Sequence, residues 1–330
     1  MTNSVIYPLG IDVGATSTKI GLFNQQWNVI ARRVIPVETY QESHYFFTAV
    51  KSALDEIFAE HSITRKNIAG IGVGLPGCVD SKNGIVRGLT NMPLWKEVAV
   101  KKNMEHATGI PTYIDNDVNL MTIGELEHGA GKMASNLICC TLGTGVGGGI
   151  VLNGKLYRGN ALCAGEIGHM YLFPQSEPSS DNKPFILEKF VGNNAIIRRA
   201  QNAVAETPSD SSVIMKLVDN DVSKITPKLL FQAAQKGCVL SKKIWDDTGY
   251  FIGLVFASVV NLLNPDKIVI GGGIAQAGDI LFEPIRKAVQ DNAIPVASAN
   301  LEIIPAALKE DAGIYGAATY GMKYEYYGEN

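Results

Sequence analysis

The sequence carries no strong excess of either charge: Lys and Arg number 29, Asp and Glu 32, and the net charge is −3. The basic field that tracks nucleic-acid phosphates is therefore missing. No apolar run approaches the ~20 residues needed to span a bilayer. The longest, residues 251–263 (FIGLVFASVVNLL), reads as a buried helix stopped at Asn264 and Pro265. Cysteine is scarce. The five present lack the spacing of a disulfide framework, which fits reduced thiols in a cytoplasmic protein. The N-terminus has no cationic flank and apolar core of a signal peptide, and a strand pattern is reached by Val5. His-Glu-x-x-His does not occur, which argues against metalloprotease zinc, and no Gly-Lys-Ser/Thr closes a glycine turn, which removes the P-loop. A composition of 46% hydrophobic and 18% charged residues excludes disorder. A chain of 330 residues favours two domains, since single cores rarely exceed ~250–300 residues.

What the chain does have is glycine in particular places. TLGTGVGGGIVLNG, from Thr141, runs an apolar strand into a tight glycine turn and out along a second strand. LGIDVGATSTKIGLFN, from Leu9, is a near-copy. Bare glycine backbone lets N–H groups approach an anion closely. Two such turns suggest two lobes clamping one polyphosphate, although each taken alone also suits a plain hairpin. Gly143-x-Gly145-x-x-Gly148 and Gly72-x-Gly74-x-x-Gly77 match the dinucleotide fingerprint by letter only. That fingerprint needs a helix N-terminus next, and a strand-like and a turn-like segment come instead. Asp12, Thr16 and Thr144 add a carboxylate suited to hydrated Mg²⁺ and hydroxyls suited to phosphate oxygens. Gly271, Gly272 and Gly273 succeed a buried strand, where adenine or ribose can press on bare backbone. Lys19 suits either the phosphates or a solvated strand edge.

Strand and helix periodicity alternate along the chain, which argues for α/β architecture. Residues 9–11 and 18–23 read as a hairpin, 29–37 as a third strand, and 43–61 as an amphipathic helix with Phe47, Val50, Leu54, Ile57 and Phe58 on one face. Residues 68–74 and 112–114 read as short strands, 98–108 and 118–128 as helices. A second cycle opens near Asn136, and 312–324 closes the chain as a helix. Asn116 and Asp117 fall at the carboxyl end of a buried strand, where ligands of open α/β sheets bind. A carboxylate there suits the base of a phosphoryl transfer; Asp115 or Asp117 equally suits a helix N-cap. Glu166 and His169, three residues apart, share one face if the segment is helical. They suit polyol hydrogen bonding, or one satisfied histidine and one surface carboxylate. Glu188 interrupts the apolar run ILEKF and needs a partner, which a sugar hydroxyl would provide. Asn91 is a similar case, and nearby Trp95 reads as core.

GIDVGATSTK, GVGLPGCVD, TNMPLW, IDNDVN, LGTGVGGGI, GEIGHM, LEKFVG, IVIGGGI and EDAGIYGAA occur in that order across nearly the whole chain. Together they resemble the ROK family (repressors, open reading frames and sugar kinases) of the hexokinase/actin/Hsp70 superfamily. The resemblance implies a two-lobed, actin-like ATPase fold related to ribonuclease H, with a central interlobe cleft. The small lobe is expected at 1–119, completed by the C-terminal helix near 312–330, and the larger lobe at 120–311. The implied activity is ATP- and Mg²⁺-dependent phosphorylation of a hexose, glucose to glucose 6-phosphate first. N-acetylmannosamine, N-acetylglucosamine, fructose and mannose are alternative acceptors, and polyphosphate is an alternative donor. In matching positions Asp117 is the general base. Gly77, Asn91, Asn116, Asp117, Glu166, His169 and Glu188 hold the sugar. Asp12, Gly14, Thr16 and Lys19 serve the first phosphate turn, Asp12 taking Mg²⁺ through water. Gly143, Thr144 and Gly145 form the second turn, and Gly272 and Gly273 lie at the adenosine. The family also implies a homodimer, with neither membrane nor nucleic acid as partner.

One departure concerns zinc. Many family members carry, after the Gly-His-Met, a cysteine-rich run that binds structural zinc together with the histidine. Here the interval YLFPQSEPSSDNKPFILE has no cysteine, and Cys163 cannot replace three thiolates. No zinc is expected, His169 is left as a sugar contact, and the polar residues 175–184 are expected to form a mobile loop. The family's repressors carry a winged helix-turn-helix before the first phosphate turn. Here that turn's strand opens at Leu9, so no such module is expected, and a sugar-sensing transcriptional regulator without a DNA-binding module is the lesser alternative. A chaperone-like ATPase is opposed by the set Glu166, His169 and Glu188.

Overall fold

The computed structural model describes residues 5–40, 42–89, 92–172 and 185–328. It divides into two compact units. Unit 1 comprises Met1–Ser135, Gly149–Ala164 and Ala307–Asn330; unit 2 comprises Asn136–Gly148 and Gly165–Ala306. The expected polar loop 175–184 and Asn91 lie outside the described residues.

Unit 1 begins with β1 (Leu9–Val13), β2 (Ser17–Phe23), β3 (Val29–Pro36), α1 (Ser43–Glu60) and β4 (Ile71–Leu75). A small antiparallel sheet comes next, of β5 (Cys78–Asp80), β6 (Ile85–Leu89) and β7 (Met92–Val98), then α2 (Val100–Thr108), β8 (Thr112–Asn116) and α3 (Asp117–His128). Because Val98 ends β7, the helix expected from 98 starts at Val100. The main sheet has the order β3-β2-β1-β4-β8, with β1, β4 and β8 parallel. Its core is built as the period-3.6 pattern requires: α1 buries Phe46, Phe47, Val50, Ala53, Leu54, Ile57 and Phe58. Trp95 is fully buried and packs edge-on to Phe46 at 5.2 Å between ring centroids. The parallel register aligns the strand ends. Asp12 stands opposite Gly74, and Gly74 opposite Asp115, so β1, β4 and the β8–α3 junction share one sheet edge.

Unit 2 takes up β9 (Leu137–Leu142). The unit division then falls within β10 (Val146–Leu152), whose hairpin partner β11 (Lys155–Tyr157) belongs to unit 1. Unit 2 continues with α4 (Glu188–Val191), α5 (Asn193–Glu206), α6 (Ser212–Leu217), α7 (Pro227–Gln235), α8 (Val239–Leu263), β12 (Lys267–Gly271), α9 (Asp279–Asn292), α10 (Pro295–Ser298) and β13 (Glu302–Pro305). β12 runs parallel to β9 on one side and β13 on the other. By length and composition α8 could cross a membrane, yet half of its most apolar window is buried within the protein. It packs along α9 and stops at Asn264, in the left-handed region at φ 43°, just before Pro265. A strand succeeds each supposed dinucleotide fingerprint, β10 after Gly145 and β5 after Gly77, so neither meets a helix N-terminus.

The chain returns to unit 1 with α11 (Ala312–Met322) and α12 (Tyr324–Tyr327). α11 packs on β1, β4 and α3 at backbone-to-backbone range. A Cβ on Gly72 would lie 1.9 Å from the Ala317 carbonyl oxygen, and a Cβ on Gly316 would lie 1.6 Å from that of Leu120. The buried Glu125 side chain fixes the approach to this helix by accepting N–H bonds from Ala130 (2.8 Å), Ala307 (3.1 Å) and Leu308 (2.8 Å). This packing keeps α3 whole within unit 1, so the boundary expected at Asn119 falls inside a helix of that unit.

Gly316→Ala tests the close packing. Alanine gains about 1 kcal/mol in intrinsic helix propensity, while overpacking costs ~1–3 kcal/mol or more. Here the obstructing atom is backbone, which no rotamer change relieves. The denaturation midpoint should therefore fall; an unchanged or raised midpoint would show that α11 has room to shift.

Candidate active site

The expected site residues form two groups, one in each unit. In unit 1 the sheet edge assembles the first. Asn116 caps α3, its Oδ1 accepting from the N–H groups of Val118 (2.9 Å) and Asn119 (3.3 Å). Its Nδ2 donates to the Gly77 carbonyl at 3.2 Å, which ties the cap to a turn whose glycine sits at φ 81°. Since Asn116 does the capping, neither Asp115 nor Asp117 is the N-cap. Asp117 occupies the first turn of α3, half-buried.

Asp12 ends the same edge from β1. Gly74 lies between the two acids: a Cβ on it would come within 3.6 Å of Asp12 Oδ1 and 3.4 Å of the Asp117 Cα. Gly313, in the first turn of α11, leaves room for Asp12, whose Oδ2 would be 2.4 Å from any Cβ there. Burial pushes the Asp12 carboxyl from 3.8 up to about 6, against the pull of Lys19. Burial first, and then the charge on Asp12, push Asp117 from 3.8 up to about 7. Lys19 is the cross-strand neighbour of Asp12; its Nζ donates to the Glu310 carbonyl oxygen at 2.9 Å and pairs with that residue's carboxylate at 3.4 Å. In the β1–β2 turn the Gly14 N–H donates to the Ser17 carbonyl at 3.0 Å, and Thr16 is exposed.

Asp115, one residue before the cap, is itself buried. Arg158 donates to it through Nε at 2.7 Å and pairs through Nη2 at 2.6 Å, and Asn119 Nδ2 donates at 2.9 Å. Arg158 also donates to the Tyr327 carbonyl at 2.6 Å. This buried pair braces the segment that presents Asn116 and Asp117. The sequence reading missed Arg158, Gly74 and Gly313. For Arg158 no local signal exists, because its partner lies 43 residues away; the glycines were visible only as letters in motifs.

In unit 2 the second glycine turn is closed by the Gly143 N–H donating to the Gly145 carbonyl at 3.0 Å. Its Gly143 carbonyl accepts from Asn193 N–H at 2.9 Å, and Thr144 is exposed. The parallel register sets Gly271 opposite Thr141, which brings Gly272 and Gly273 beside this turn. Gly272, at φ 88°, would clash through a Cβ with the Leu142 carbonyl at 2.2 Å, whereas Gly143 and Gly273 face open space. Glu188 does have a protein partner: its Oε2 accepts from Val146 N–H at 3.1 Å, and would lie 2.6 Å from a Cβ on Gly145. Glu166 is the N-cap and His169 the last residue of a single 3-10 turn, with His169 Nδ1 3.3 Å from Glu166 Oε2 and both exposed. That turn packs onto β10 through Gly168, whose Cβ would lie 2.3 Å from the Val146 carbonyl. Gly168, between Glu166 and His169 in sequence, and the Glu188 carboxylate thus both reach Val146 at the start of β10. Among the described residues no three His, Cys, Asp or Glu side chains cluster to hold a metal ion.

Comparison with known proteins places these motifs in a wider set. Residues 8–323 match the model of the ROK family. The chain is 34% identical over 309 residues to a glucokinase of Halalkalibacterium halodurans, covering 93% of this chain and 92% of that protein. The crystal structure of a ROK family glucokinase from Streptomyces griseus, in complex with glucose and AMPPNP, is similar at 27% identity. Its TM-score is 0.78, over 96% of this chain and 99% of that one. A ROK family transcriptional regulator, a homologue of the Escherichia coli MLC protein, is similar at 26% identity and a TM-score of 0.81, over 96% of this chain and 78% of its own.

The raised carboxyls have a measurable signature. A group whose pKa is raised on folding contributes stability at low pH that is lost as pH climbs through the folded value. For Asp117 the loss runs from about 4 to about 7. In metal-free, ligand-free protein, Asp117→Asn should therefore raise Tm relative to the parent, by an amount that grows across that window and levels off above it. A Tm difference independent of pH would show that Asp117 ionises without strain.

Proposed function

The chain belongs to the ROK family, and from that premise we propose that this ATP-dependent sugar kinase phosphorylates glucose at O6 with Asp117 as general base. The observation that carries the reading is the Asp117 carboxyl at the sheet edge, with a pKa pushed up to about 7 by burial and by Asp12. A base is most effective when its pKa lies near the working pH. As the hydroxyl oxygen bonds to the γ-phosphorus, its proton passes to Asp117, and the bond from that phosphorus to the β–γ bridging oxygen breaks to release ADP.

The remaining roles come from the chemistry of each group. The Gly14–Thr16 and Gly143–Gly145 turns offer bare backbone and exposed hydroxyls to phosphate oxygens. Gly272 and the open face of Gly273 suit the adenosine. Asn116, Gly77, Glu166, His169 and Glu188 are assigned to the hexose, with Asn91 beside them. The oxygen-only pair Asp12 and Asp117 fits a hard divalent ion. Asp12 would hold Mg²⁺ through water, and that ion supplies neutralisation of the phosphoryl charge. Lys19 acts by setting the charge balance at Asp12. A cytoplasmic homodimer completes the reading, on the strength of the family resemblance alone. N-acetylmannosamine, N-acetylglucosamine, mannose and fructose compete as acceptors, since one epimeric hydroxyl or acetamide alters only a few contacts. Polyphosphate competes as donor.

ADP release measured over that panel of sugars tests the assignment, glucose being expected to give the highest kcat/KM. Absence of turnover with every sugar and both donors would favour a sugar-responsive regulator, in keeping with the regulator likeness. Asp117→Asn should lower kcat by ~10²–10⁴-fold with little change in glucose KM; near-parental turnover removes Asp117 from the role. Gly145→Ala displaces the Glu188 carboxylate and should raise glucose KM roughly tenfold, the worth of about one hydrogen bond. An unchanged KM would free Glu188 from sugar binding.

A further inference from the structure

Unit 1 carries a pair of surface thiols that the kinase chemistry does not use. Cys78 and Cys163 are exposed, 85 residues apart in sequence, with their sulfurs 3.7 Å apart. The remaining cysteines, Cys139, Cys140 and Cys238, are buried. The fold itself sets this approach. Cys78 opens β5 directly after Gly77. Cys163 sits on the connection that leaves β11, and that connection is tightened on itself: Leu162 N–H donates to the Gly159 carbonyl at 3.3 Å and Ala164 N–H to that of Arg158 at 2.9 Å. Leu162 is held in the left-handed region at φ 58°, and the Cys163 thiol donates to the Ala161 carbonyl at 3.2 Å. The loop is anchored at Arg158, whose guanidinium is buried against Asp115.

We propose that Cys78 and Cys163 form an oxidation site, closing to an intramolecular disulfide in the presence of a hydroperoxide. One thiolate attacks the terminal peroxide oxygen; the O–O bond breaks, leaving a sulfenic acid and an alkoxide, which is hydroxide when the oxidant is hydrogen peroxide and is protonated by water. The second thiol then attacks the sulfenic sulfur, the S–S bond forms, and water departs. In sum two thiols and one hydroperoxide group give one disulfide, with two electrons passing to oxygen. When the peroxide is hydrogen peroxide, two waters are produced. Closing 3.7 Å to a bonded ~2.05 Å draws the Cys163 loop and β5 together. The shift bears on Gly77, whose carbonyl accepts the Asn116 amide. On the kinase reading, from which this consequence alone derives, the bridge disturbs the sugar contacts. In a reducing compartment such a bridge is transient and reversed by thiols.

The test uses the full-length reduced protein, treated with hydrogen peroxide, alkylated, and digested without reductant. The expected result is a linked peptide pair joining Cys78 to Cys163, an intact mass lower by two hydrogens, and reversal by dithiothreitol. Cys78→Ser and Cys163→Ser, with parental melting curves, should each lose the linked pair. Full alkylation of both thiols after peroxide, or their recovery only as sulfinic or sulfonic acids, would overturn the site. Oxidised parent should show a fall of about tenfold to a hundredfold in kcat/KM, the scale of an ångström-sized misplacement, restored by reductant and absent in both variants. A bridge with unaltered kinetic constants would overturn the coupling to Gly77. A protein without sugar turnover in any redox state would count against the kinase reading and leave the peptide result standing.

Discussion

The seating of α11 against β1, β4 and α3 is the constraint on which unit 1 depends. Backbone lies on backbone there because Gly72 and Gly316 carry no side chain. The seat joins the last helix of the chain to its first strand, and Glu125 anchors the segment that enters it through three N–H bonds. Its functional product is the environment of Asp12. With Gly313 pressed against the carboxylate, water is excluded from one side of an acid that would otherwise be well solvated. Packing that stabilises the fold thereby raises the free energy of one ionised group.

That raised carboxyl shapes its neighbour. Asp117 is pushed up mainly by its own burial and then by the charge of Asp12, while Lys19 moderates Asp12 from the adjacent strand. Two acids at one sheet edge, opposed by a single lysine already paired with Glu310, leave negative charge undercompensated. Such an arrangement is unfavourable for the empty protein, and a cation or a hydrogen-bond donor placed there would relieve it.

Much of the fold was legible in the sequence because its signals are local. The β1–β2 hairpin, the apolar face of α1, the stop of α8 at Asn264 and Pro265, and the strand that opens at Thr112, read two residues short of its end at Asn116, each arise from a few consecutive residues. Distant pairings were not legible. Nothing near Asp115 announces Arg158, nothing near Cys78 announces Cys163, and Glu188 gives no hint that its carboxylate accepts the Val146 N–H. The capping question turned on geometry as well. Three polar residues in a row suit an N-cap by composition, and only the backbone at Asn116 (φ −62°, ψ 142°) selects the middle one and frees Asp117. The division of the chain obeyed the same logic: α3 stays with unit 1 because of what it packs against, which periodicity does not encode.

In unit 2 the sequence reading gave Glu188 to the sugar and Gly145 to the phosphates, as though these were separate tasks. The contact between them makes them one. Glu188 reaches the Val146 N–H only because Gly145 has no Cβ, and the same α4–α5 segment sends Asn193 N–H to the Gly143 carbonyl. A shift of Glu188 Oε2 away from Val146 would take a partner from the N–H that directly follows the turn closed by Gly143 and Gly145. On the proposed roles, an acceptor held by Glu188 and a donor held by the glycine turn would alter each other's affinity by the same factor, because linkage makes such coupling reciprocal.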